Sequence, residues 1–547
     1  MDKKTRKSSG GGYRLTKLLN KDIKELNGII LSLFCVSFLI TVGLISYKVN
    51  SSYAIFTDTI KGEKIIEISV DPNLDSCNPN KPVLSENMIA VYYDDKNEVW
   101  RKADSENKDP KYKWYDYCDK MWANSVTVTS TNRSNYLSAD LGTEIPMNDI
   151  LTMQVWIPRY KYTVWNYNLN GTATSEPQEI DIEFESGTTT SGEIECTDLV
   201  NMGTSDGTKS GVPKTTSETC KLKSTNATCT DNTCNGKTYT HPAFTFGDKE
   251  LTGFWVGKFE VSSDTECTPA SSSSQGLIGM ACNLTSIKPL VKPNEISWRG
   301  AMVSIFENNI MSMNDSGNMY GYSTTDDIHM MKNMEWGAVA YLSHSKYGIN
   351  KEIAINSANT YTTGCGLQSE ESVSSGTICN SFNTILGQSA STTGNIYGIY
   401  DMSGGANEYV MGNMVAPNGT TMISGYRGSS NQYSGYTGIL YSLSSDGDYQ
   451  SYTGSYLYPN DRYYDKYSFG SDLNIVSRSK LGDGIKEVSN NDSSKWYDDY
   501  PKFICNNVPW FYRGGKHDDG DVSGIFGSSG YFGLAYATIT SRLVISQ

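Results

Sequence analysis

The hydrophobic positions of the chain form one long uncharged run near the N-terminus and many short runs after it. The long run, GIILSLFCVSFLITVGLIS, covers residues 28–46 and follows a basic segment at 1–27. A helix needs about 20 apolar residues to cross a bilayer, and basic flanks tend to stay in the cytoplasm. The pattern therefore predicts a transmembrane helix over 28–47 with the rest outside the cell. Small residues at Ser52 and Ala54 leave an alternative, secretion after cleavage near Ala54.

The short runs after this segment change in character along the chain. Residues 48–82 are interpreted as a linker, and 83–166 alternate strand-like runs such as MIAVYYD and SVTVTS with turn residues, which predicts a β-rich region. Pro158 interrupts the run MQVWIPRYKYTVW, and a proline cannot donate to a strand ladder, so we expect an edge strand or a bulge there. Residues 167–236 are rich in Thr, Ser, Gly, Asn and Cys, which is typical of an exposed insertion pinned by disulfides.

Strands and helices both appear after residue 237. GFWVGKFEVS, at 253–262, has the pattern of a strand, and PNEISWRGAMVSIFENN, at 293–309, turns from a strand into a helix. HMMKNMEWGAVAYLSHSKYG, at 329–348, predicts a second helix because apolar residues recur at about one turn.

Composition restricts the classes of partner. The formal charge of −14 and the pI near 4.9 argue against nucleic acid, because binding to phosphates is driven by Lys and Arg. The chain has 37 tyrosines and 50 glycines but only four histidines. This balance indicates a mostly β, loop-rich protein with many tyrosines at its surface.

The cysteines are interpreted as an extracellular disulfide framework. Of 12 cysteines, Cys35 lies in the apolar run and 11 follow it. Disulfides persist in oxidising compartments, and the pairs Cys267/Cys282 and Cys365/Cys379 would close short loops, although sequence does not fix the connectivity. Because 11 is odd, one thiol stays unpaired, and we expect it to be Cys505, which has no neighbouring cysteine.

A second interpretation exists for the cysteines of the insertion. Cys229 and Cys234 lie close to Cys220, as in a zinc knuckle, but the spacing is not the Cys-x2-Cys of zinc ribbons. A disulfide is therefore favoured over a zinc site.

Six motifs after residue 240 occur in an order that resembles the formylglycine-generating enzyme, or sulfatase-modifying factor, family. They are GFWVGKFEVS, PNEISWRGAMVSIFENN, the Glu-Trp of 329–348, NIYGIYDMSGGANEYVMGN at 395–413, WFYRGG at 510–515 and SRLVI at 541–545. The family pattern is a Glu-Val strand, a Val-Ser-Trp helix start, a Glu-Trp helix, a Gly-Leu-Tyr-Asp-Met-x-Gly-Asn-x-Trp-Glu-Trp loop, an Arg-Gly-Gly strand and a Gly-Phe-Arg strand. The resemblance implies an α+β, C-type-lectin-like domain over 237–547, preceded by the β-rich region and one transmembrane helix.

The resemblance also implies a calcium site in the loop at 395–413. In the family this loop can hold calcium through backbone carbonyls and its Glu, which here correspond to Gly404, Ala406 and Glu408, and calcium prefers such oxygen ligands. Gly405 stands where the family has Asn, however, which removes one oxygen. The alternative is a packing loop whose Glu makes ordinary hydrogen bonds.

Catalytic residues of the family are missing from the corresponding positions. The enzymes hold copper through two cysteines between the Arg-Gly-Gly strand and the terminal strand, whereas residues 513–543 contain none. Related synthases bind iron through a histidine cluster, but His329 and Glu335 are six residues apart, which would face them away from each other on a helix. We therefore predict no catalytic residues and a bacterial or phage-type variant that lacks the catalytic cysteines.

Tyrosines among Ser, Gly, Asn and Asp at 424–470 predict a binding surface, because Tyr offers a large contact area with few torsions to freeze. The candidate ligand-binding residues are Tyr426, Tyr433, Tyr436, Tyr458, Tyr463 and Tyr464. The terminal segment from WFYRGG to SRLV also resembles the ligand-facing end of C-type-lectin-fold variable proteins of phages and bacteria.

Two functions follow from these patterns. The first is a membrane-anchored, exported bacterial surface protein that presents a catalytically inactive lectin-like domain to a protein or glycan on another cell or surface. The alternative is a formylglycine-generating oxidoreductase with a divergent metal site.

Overall fold

The computed structural model describes most of the chain after residue 77. The described residues are 77, 79–167, 176–202, 213–265, 267, 282–366, 376, 378–414, 461–468, 478–490, 494–505, 508–531, 533 and 535–547. The basic segment 1–27, the apolar run 28–47, the linker up to residue 76 and the cleavage position near Ala54 lie outside these residues. Within them the fold is mixed α and β, with many strands and few helices.

Strands make up most of the regular structure. Those before residue 241 are β1 (Ile89–Asp94), β2 (Val99–Lys102), β3 (Asn124–Val128), β4 (Ile150–Pro158), β5 (Tyr160–Thr163), β6 (Ile182–Phe184), β7 (Ile194–Met202), β8 (Pro213–Leu222) and β9 (Thr238–Thr240). Those from 245 to 381 are β10 (Thr245–Phe246), β11 (Lys249–Glu250), β12 (Gly253–Gly257), β13 (Ser262–Ser263), β14 (Pro289–Leu290), β15 (Asp327–Met330), β16 (Cys365–Gly366) and β17 (Asn380–Ser381). The last are β18 (Asn407–Met414), β19 (Asp465–Tyr467), β20 (Ser489–Asn490), β21 (Ser494–Lys495), β22 (Trp510–Arg513), β23 (Ser528–Tyr531), β24 (Ile539–Ser541) and β25 (Leu543–Ser546).

The α-helices of the same residues are short. They are α1 (Ser130–Ser138), α2 (Asp231–Cys234), α3 (Val303–Met311), α4 (Asn333–Ser343) and α5 (Ile385–Gln388). Helix α3 confirms the helix predicted within 293–309, although it extends to Met311, whereas the strand predicted before it is wrong, because residues 293–302 of the described chain form none.

A seven-stranded sheet joins the two ends of the described chain. Its order is β15-β25-β12-β4-β3-β1-β2, and its pairs are antiparallel. Strand β4 of the β-rich region pairs with β12, where Trp156 lies opposite Trp255 and the two rings are 5.2 Å apart. Residues 83–166 therefore complete a sheet with later strands rather than folding as a separate layer.

The expectation that Pro158 marks an edge strand or a bulge is wrong. Strand β4 lies between β3 and β12, and all nine of its residues are buried. Pro158 is the last residue of β4, so the residue that cannot donate lies at the end of the ladder rather than within it.

A five-stranded sheet contains the end of the motif at 395–413. Strand β18 pairs with β22 in antiparallel and with β19 and β24 in parallel orientation, and β22 pairs with β23. All eight residues of β18 are buried. The motif thus leads into the central strand of this sheet.

The helix predicted over 329–348 is wrong at both ends, because helix α4 ends at Ser343 and its start is also shifted. Asp327–Met330 form β15, which pairs with β25, and helix α4 begins only at Asn333. A pairing with a strand more than 200 residues later overrides the local periodicity, which a single sequence window cannot show.

Five disulfides occur among the described residues and confirm the disulfide framework. They are Cys77–Cys118, Cys196–Cys220, Cys229–Cys234, Cys267–Cys282 and Cys365–Cys379. Both pairs expected from their short loops are present, Cys229 and Cys234 are bonded to each other, and Cys505 is the free, buried cysteine of this part of the chain.

The prediction of a transmembrane helix is corrected. In the part of the chain that the structure describes, no helix is long and apolar enough to cross a membrane. The segment 28–47 itself lies outside that part. We therefore withdraw the transmembrane helix from the fold class and the single-pass membrane localisation with it.

Candidate ligand-binding cleft

The carboxylate expected to bind calcium is bonded to an arginine. Arg542, beside strand β25, donates from Nε to Glu408 Oε2 at 3.0 Å and from Nη2 to Oε1 at 2.5 Å. Both side chains are fully buried. Burial acts to raise the pKa of Glu408, and the two bonds from the Arg542 guanidinium act against that rise.

Backbone carbonyls of the same motif also accept hydrogen bonds from basic side chains of the chain itself. The Nζ of the buried Lys258 donates to Ile396 O at 2.7 Å and Gly398 O at 2.8 Å, and Arg542 Nη2 donates to Tyr400 O at 2.9 Å. Asn124 Oδ1 is a third acceptor for Lys258, at 2.8 Å. Alternate carbonyls of 396–400 are thus satisfied by a lysine and an arginine.

A second carboxylate fills the space beside Gly405, where the family has Asn. Glu260 Oε1 accepts from Ala406 N at 2.9 Å, and Ser297 Oγ donates to Glu260 Oε2. A Cβ at Gly405, whose φ is +73°, would lie 2.6 Å from Glu260 Oε1. A longer side chain at this position therefore has no room in this arrangement.

These contacts bear on the candidate metal ligands Gly404, Ala406 and Glu408. All three are buried, Gly404 N donates to Gly514 O at 3.1 Å, and both Glu408 oxygens accept from Arg542. A calcium ion would have to displace a guanidinium to reach Glu408. The contacts favour the packing-loop alternative, and the calcium site stays a prediction.

Four of the six candidate ligand-binding tyrosines lie outside the described residues, namely Tyr426, Tyr433, Tyr436 and Tyr458. Tyr463 and Tyr464 are 8% and 3% exposed. Tyr463 packs against Phe246 and His329, each with centroids 5.7 Å away. These two rings therefore contribute to packing rather than to an exposed surface.

A different group of tyrosines surrounds a cavity of about 320 Å³ that is bordered by strands of the five-stranded sheet. We call this cavity the tyrosine cleft. It is lined by Asn407, Tyr500, Tyr512, Arg513, Gly515, Lys516, Asp519, Val522, Gly527, Ser528, Tyr531, Tyr536, Thr538 and Ile539. Its four tyrosines are half-buried. The volume is at the lower end of the range for small-molecule pockets.

The sheet fixes the positions of these tyrosines. Tyr512 on β22 lies opposite Ser529 of β23, and Tyr531 ends β23 opposite Trp510. The rings of Tyr531 and Tyr536 have centroids 5.0 Å apart. Burial raises the pKa of Tyr512 and of Tyr531, so both hydroxyls are neutral near pH 7.

The Arg-Gly-Gly motif holds the wall of the cleft. Gly514 O accepts from Gly404 N at 3.1 Å and from Gly524 N at 3.0 Å. Arg513 Nη1 donates to Asn333 Oδ1 at 2.7 Å, and its Nε donates to Gly527 O at 2.8 Å. The arginine is therefore used to join β22 to helix α4 and to the turn before β23.

Polar groups at the cleft include one buried acceptor with no partner. Asn407 is 6% exposed, its N donates to Thr538 O at 3.0 Å, and its Oδ1 has no hydrogen-bond partner among the residues described. Lys516 is bonded to Asp518 and, at 2.9 Å, to Asp519. Burial lowers the pKa of Lys516, but these carboxylates outweigh it, so the pKa lies above its usual value. An N–H or O–H of a ligand would satisfy Asn407.

The donor set of the cleft does not fit the copper of the family's enzymes. None of the described residues that line it is a cysteine or a histidine, and Cys505 is not among them. The described side chains that lie close enough to share a metal ion are Cys196, Glu218 and Cys220, and the two cysteines form a disulfide. Soft copper requires thiolates that this lining does not offer.

His329 and Glu335 lie together, so the expectation that they face apart is wrong. His329 is on β15 and Glu335 is at the start of α4, and His329 Nε2 is 3.0 Å from Glu335 Oε1. Burial acts to lower the pKa of His329, but the carboxylates of Glu335 and Asp327 outweigh burial and raise the pKa to about 9. Glu335 also accepts from Lys332 N at 2.8 Å, which caps the helix.

The tyrosines of the cleft were not among the predicted ligand-binding residues. Tyr512 lies in the WFYRGG motif, and Tyr531 and Tyr536 lie between WFYRGG and SRLV. The usable signal was the resemblance of this terminal segment to the ligand-facing end of variable proteins, whereas the density of tyrosines drew attention to 424–470.

Comparison with protein-family models and with curated proteins finds no match for this chain.

Proposed function

We propose that the chain is a ligand-binding or adhesion protein, related in fold to the formylglycine-generating family but without its chemistry, and that the tyrosine cleft holds its ligand. The partner is a protein or glycan on another cell or surface. The observation that carries the proposal is the group of four half-buried tyrosines around one cavity, with the unpartnered Asn407 Oδ1 beside them.

The side chains of the cleft support binding on physical grounds. Tyrosine rings give apolar contact while their hydroxyls exchange hydrogen bonds, and few torsions are lost when a ligand fixes them. Leaving a buried acceptor without a partner costs free energy, which a ligand donor at Asn407 would recover. The cleft is therefore suited to a ligand with an apolar face and at least one N–H or O–H group.

An exported location fits the cysteines. Five disulfides among the described residues are typical of proteins that fold in an oxidising compartment. A released protein meets partners on other cells directly.

The test is binding of the purified chain to intact bacterial and animal cells and to a glycan array, compared with variants. Tyr531→Ala and Tyr536→Ala should each weaken binding about tenfold or more, because central tyrosines often contribute 2 kcal/mol or more to an interface. Tyr112→Ala is the matched control, since Tyr112 is also half-buried but does not line the cleft.

Two results would contradict the proposal. Equal binding by the Tyr531→Ala variant and the control would remove the cleft from recognition. Loss of thiol from cysteine peptides, together with stoichiometric copper in the purified chain, would favour the alternative oxidoreductase. Metal analysis and a thiol assay on the same preparation distinguish the two.

A further inference from the structure

A second cavity, of about 340 Å³, lies in the β-rich half of the seven-stranded sheet. We call it the acidic groove. Exposed Glu98, Glu144 and Asn148 form its rim, and buried Trp100 and Phe382 lie at its floor. It shares no lining residue with the tyrosine cleft.

The described residues that line the groove carry negative charge and include no basic side chain. Glu98 and Glu144 are its charged lining residues, and none of the described residues that line it is a Lys, Arg or His. Neither carboxylate takes part in an ion pair within the described chain, because the nearby Arg101 is bonded through Nε to Asp94 at 2.7 Å. Two unpaired carboxylates on one rim attract a positive group.

The floor adds an unpartnered donor. Trp100 is 2% exposed, and its Nε1 has no hydrogen-bond acceptor among the residues described. Lys258 Nζ already lies 5.3 Å from the centroid of this ring. The indole face is therefore already covered by the Lys258 side chain, and what Trp100 lacks is an acceptor for its Nε1, such as a peptide carbonyl.

Backbone pairings and one disulfide fix the positions of the segments that line the groove. Ile145 N donates to Trp100 O at 2.9 Å, and Tyr93 lies opposite Trp100 in the β1–β2 hairpin. On the other wall, Cys365 is bonded to Cys379 and pairs with Ser381, next to Phe382. A groove formed by a hairpin and a disulfide-linked loop needs little rearrangement to accept a ligand.

We propose that the acidic groove binds a lysine or arginine side chain of a partner protein, with the cation at Glu98 and Glu144 and a backbone carbonyl of the same partner at Trp100 Nε1. The volume accommodates one basic side chain with its flanking backbone. This site is independent of the tyrosine cleft, so either can fail without the other.

Titration calorimetry of the full chain with short peptides tests the site. Acetyl-Gly-Lys-Gly-amide should bind about tenfold or more tightly than the norleucine peptide, which has the same shape without the charge, and the affinity should fall as salt rises. The double variant Glu98→Gln/Glu144→Gln should lose about the same factor. Asp95→Asn is the control, because Asp95 is an exposed acid of the same hairpin that does not line the groove.

The source of the cation is tested with n-butylamine, which has the ammonium but no peptide carbonyl. Weaker binding of butylamine than of the lysine peptide supports a protein partner, and equal binding overturns that assignment. Equal affinity of the lysine and norleucine peptides, or an unchanged double variant, overturns the site. Tyr531→Ala should leave peptide binding unchanged, which separates this result from the function proposed for the cleft.

Discussion

Glu408 and Arg542 form a fully buried, two-bond ion pair although they are 134 residues apart in sequence. Removing one member leaves the other charged and buried, which typically costs about 3–5 kcal/mol. We expect Glu408→Gln to lower the free energy of unfolding by roughly that amount. Urea denaturation of the purified chain measures it.

Calcium distinguishes the ion pair from a metal site. Since Arg542 occupies both Glu408 oxygens, EDTA and added calcium should leave the Tm of the wild-type chain unchanged. A Tm that falls with EDTA in the wild type but not in Glu408→Gln would instead establish calcium at this loop.

Glu487 predicts a dependence of stability on pH. It accepts from the hydroxyls of Tyr162 and Tyr341, each at 2.6 Å, and burial raises its pKa from 4.5 to about 7. Because its pKa is higher in the folded chain, the stabilisation that Glu487 contributes is fully present below pH 4.5 and is lost as the pH rises through 7. The shift corresponds to about 3 kcal/mol.

Unfolding free energies at pH 5 and pH 8 test this prediction. The wild type should be less stable at pH 8, and Glu487→Gln, which cannot ionise, should show a smaller loss. The difference between the two proteins isolates Glu487 from His329, whose pKa of about 9 also raises stability at low pH. Equal losses in the two proteins would exclude the raised pKa.

Replacing Gly405 with alanine is expected to lower the free energy of unfolding through a steric contact. In Gly405→Ala the new Cβ would lie 2.6 Å from Glu260 Oε1, and the alanine would have to adopt the φ of +73° that the glycine has. Left-handed strain alone costs about 1 kcal/mol or more, and the displaced carboxylate adds to it, so we expect a loss of about 3 kcal/mol.

Gly236→Ala is the matched control for Gly405. Gly236 has a φ of +78° and nothing within 4 Å of a Cβ, so it measures the strain without the contact. Equal losses in the two variants would mean that Glu260 moves aside freely. Chemical denaturation of both proteins gives the comparison.

The buried Cys505 thiol is expected to react slowly while the chain is folded. It is 7% exposed and unpaired. Reaction with Ellman's reagent should be about 100-fold slower in the folded chain than in urea, because the thiol must wait for local opening. The difference between the wild type and Cys505→Ala assigns the signal, and fast reaction in the folded state would contradict the burial.

Local features of the fold could be predicted from the sequence. Short loops between Cys267 and Cys282 and between Cys365 and Cys379 indicated their bonds, and the apolar run before Asn309 indicated helix α3. These features depend on neighbours in sequence, which a pattern records directly.

Features that depend on distant partners could not be predicted. The residues near Met330 give no signal of the pairing between β15 and β25, and those near Glu408 give none of its ion pair with Arg542. The tyrosine cleft could not be predicted for the same reason, because Tyr500, Tyr512 and Tyr536 come together only when three separate segments meet. A period in a sequence reports that a face is buried but does not say against which partner.

Strand β25 lies between β15 and β12, in the interior of a sheet whose other strands begin at residue 89. Until Leu543–Ser546 joins the fold, that sheet has a gap between β15 and β12, so its assembly waits for the last of its strands. Crosslinks that span 5, 14, 15 and 24 residues can close earlier. Maturation of this protein should therefore begin with small local rings and finish with one late, long-range closure.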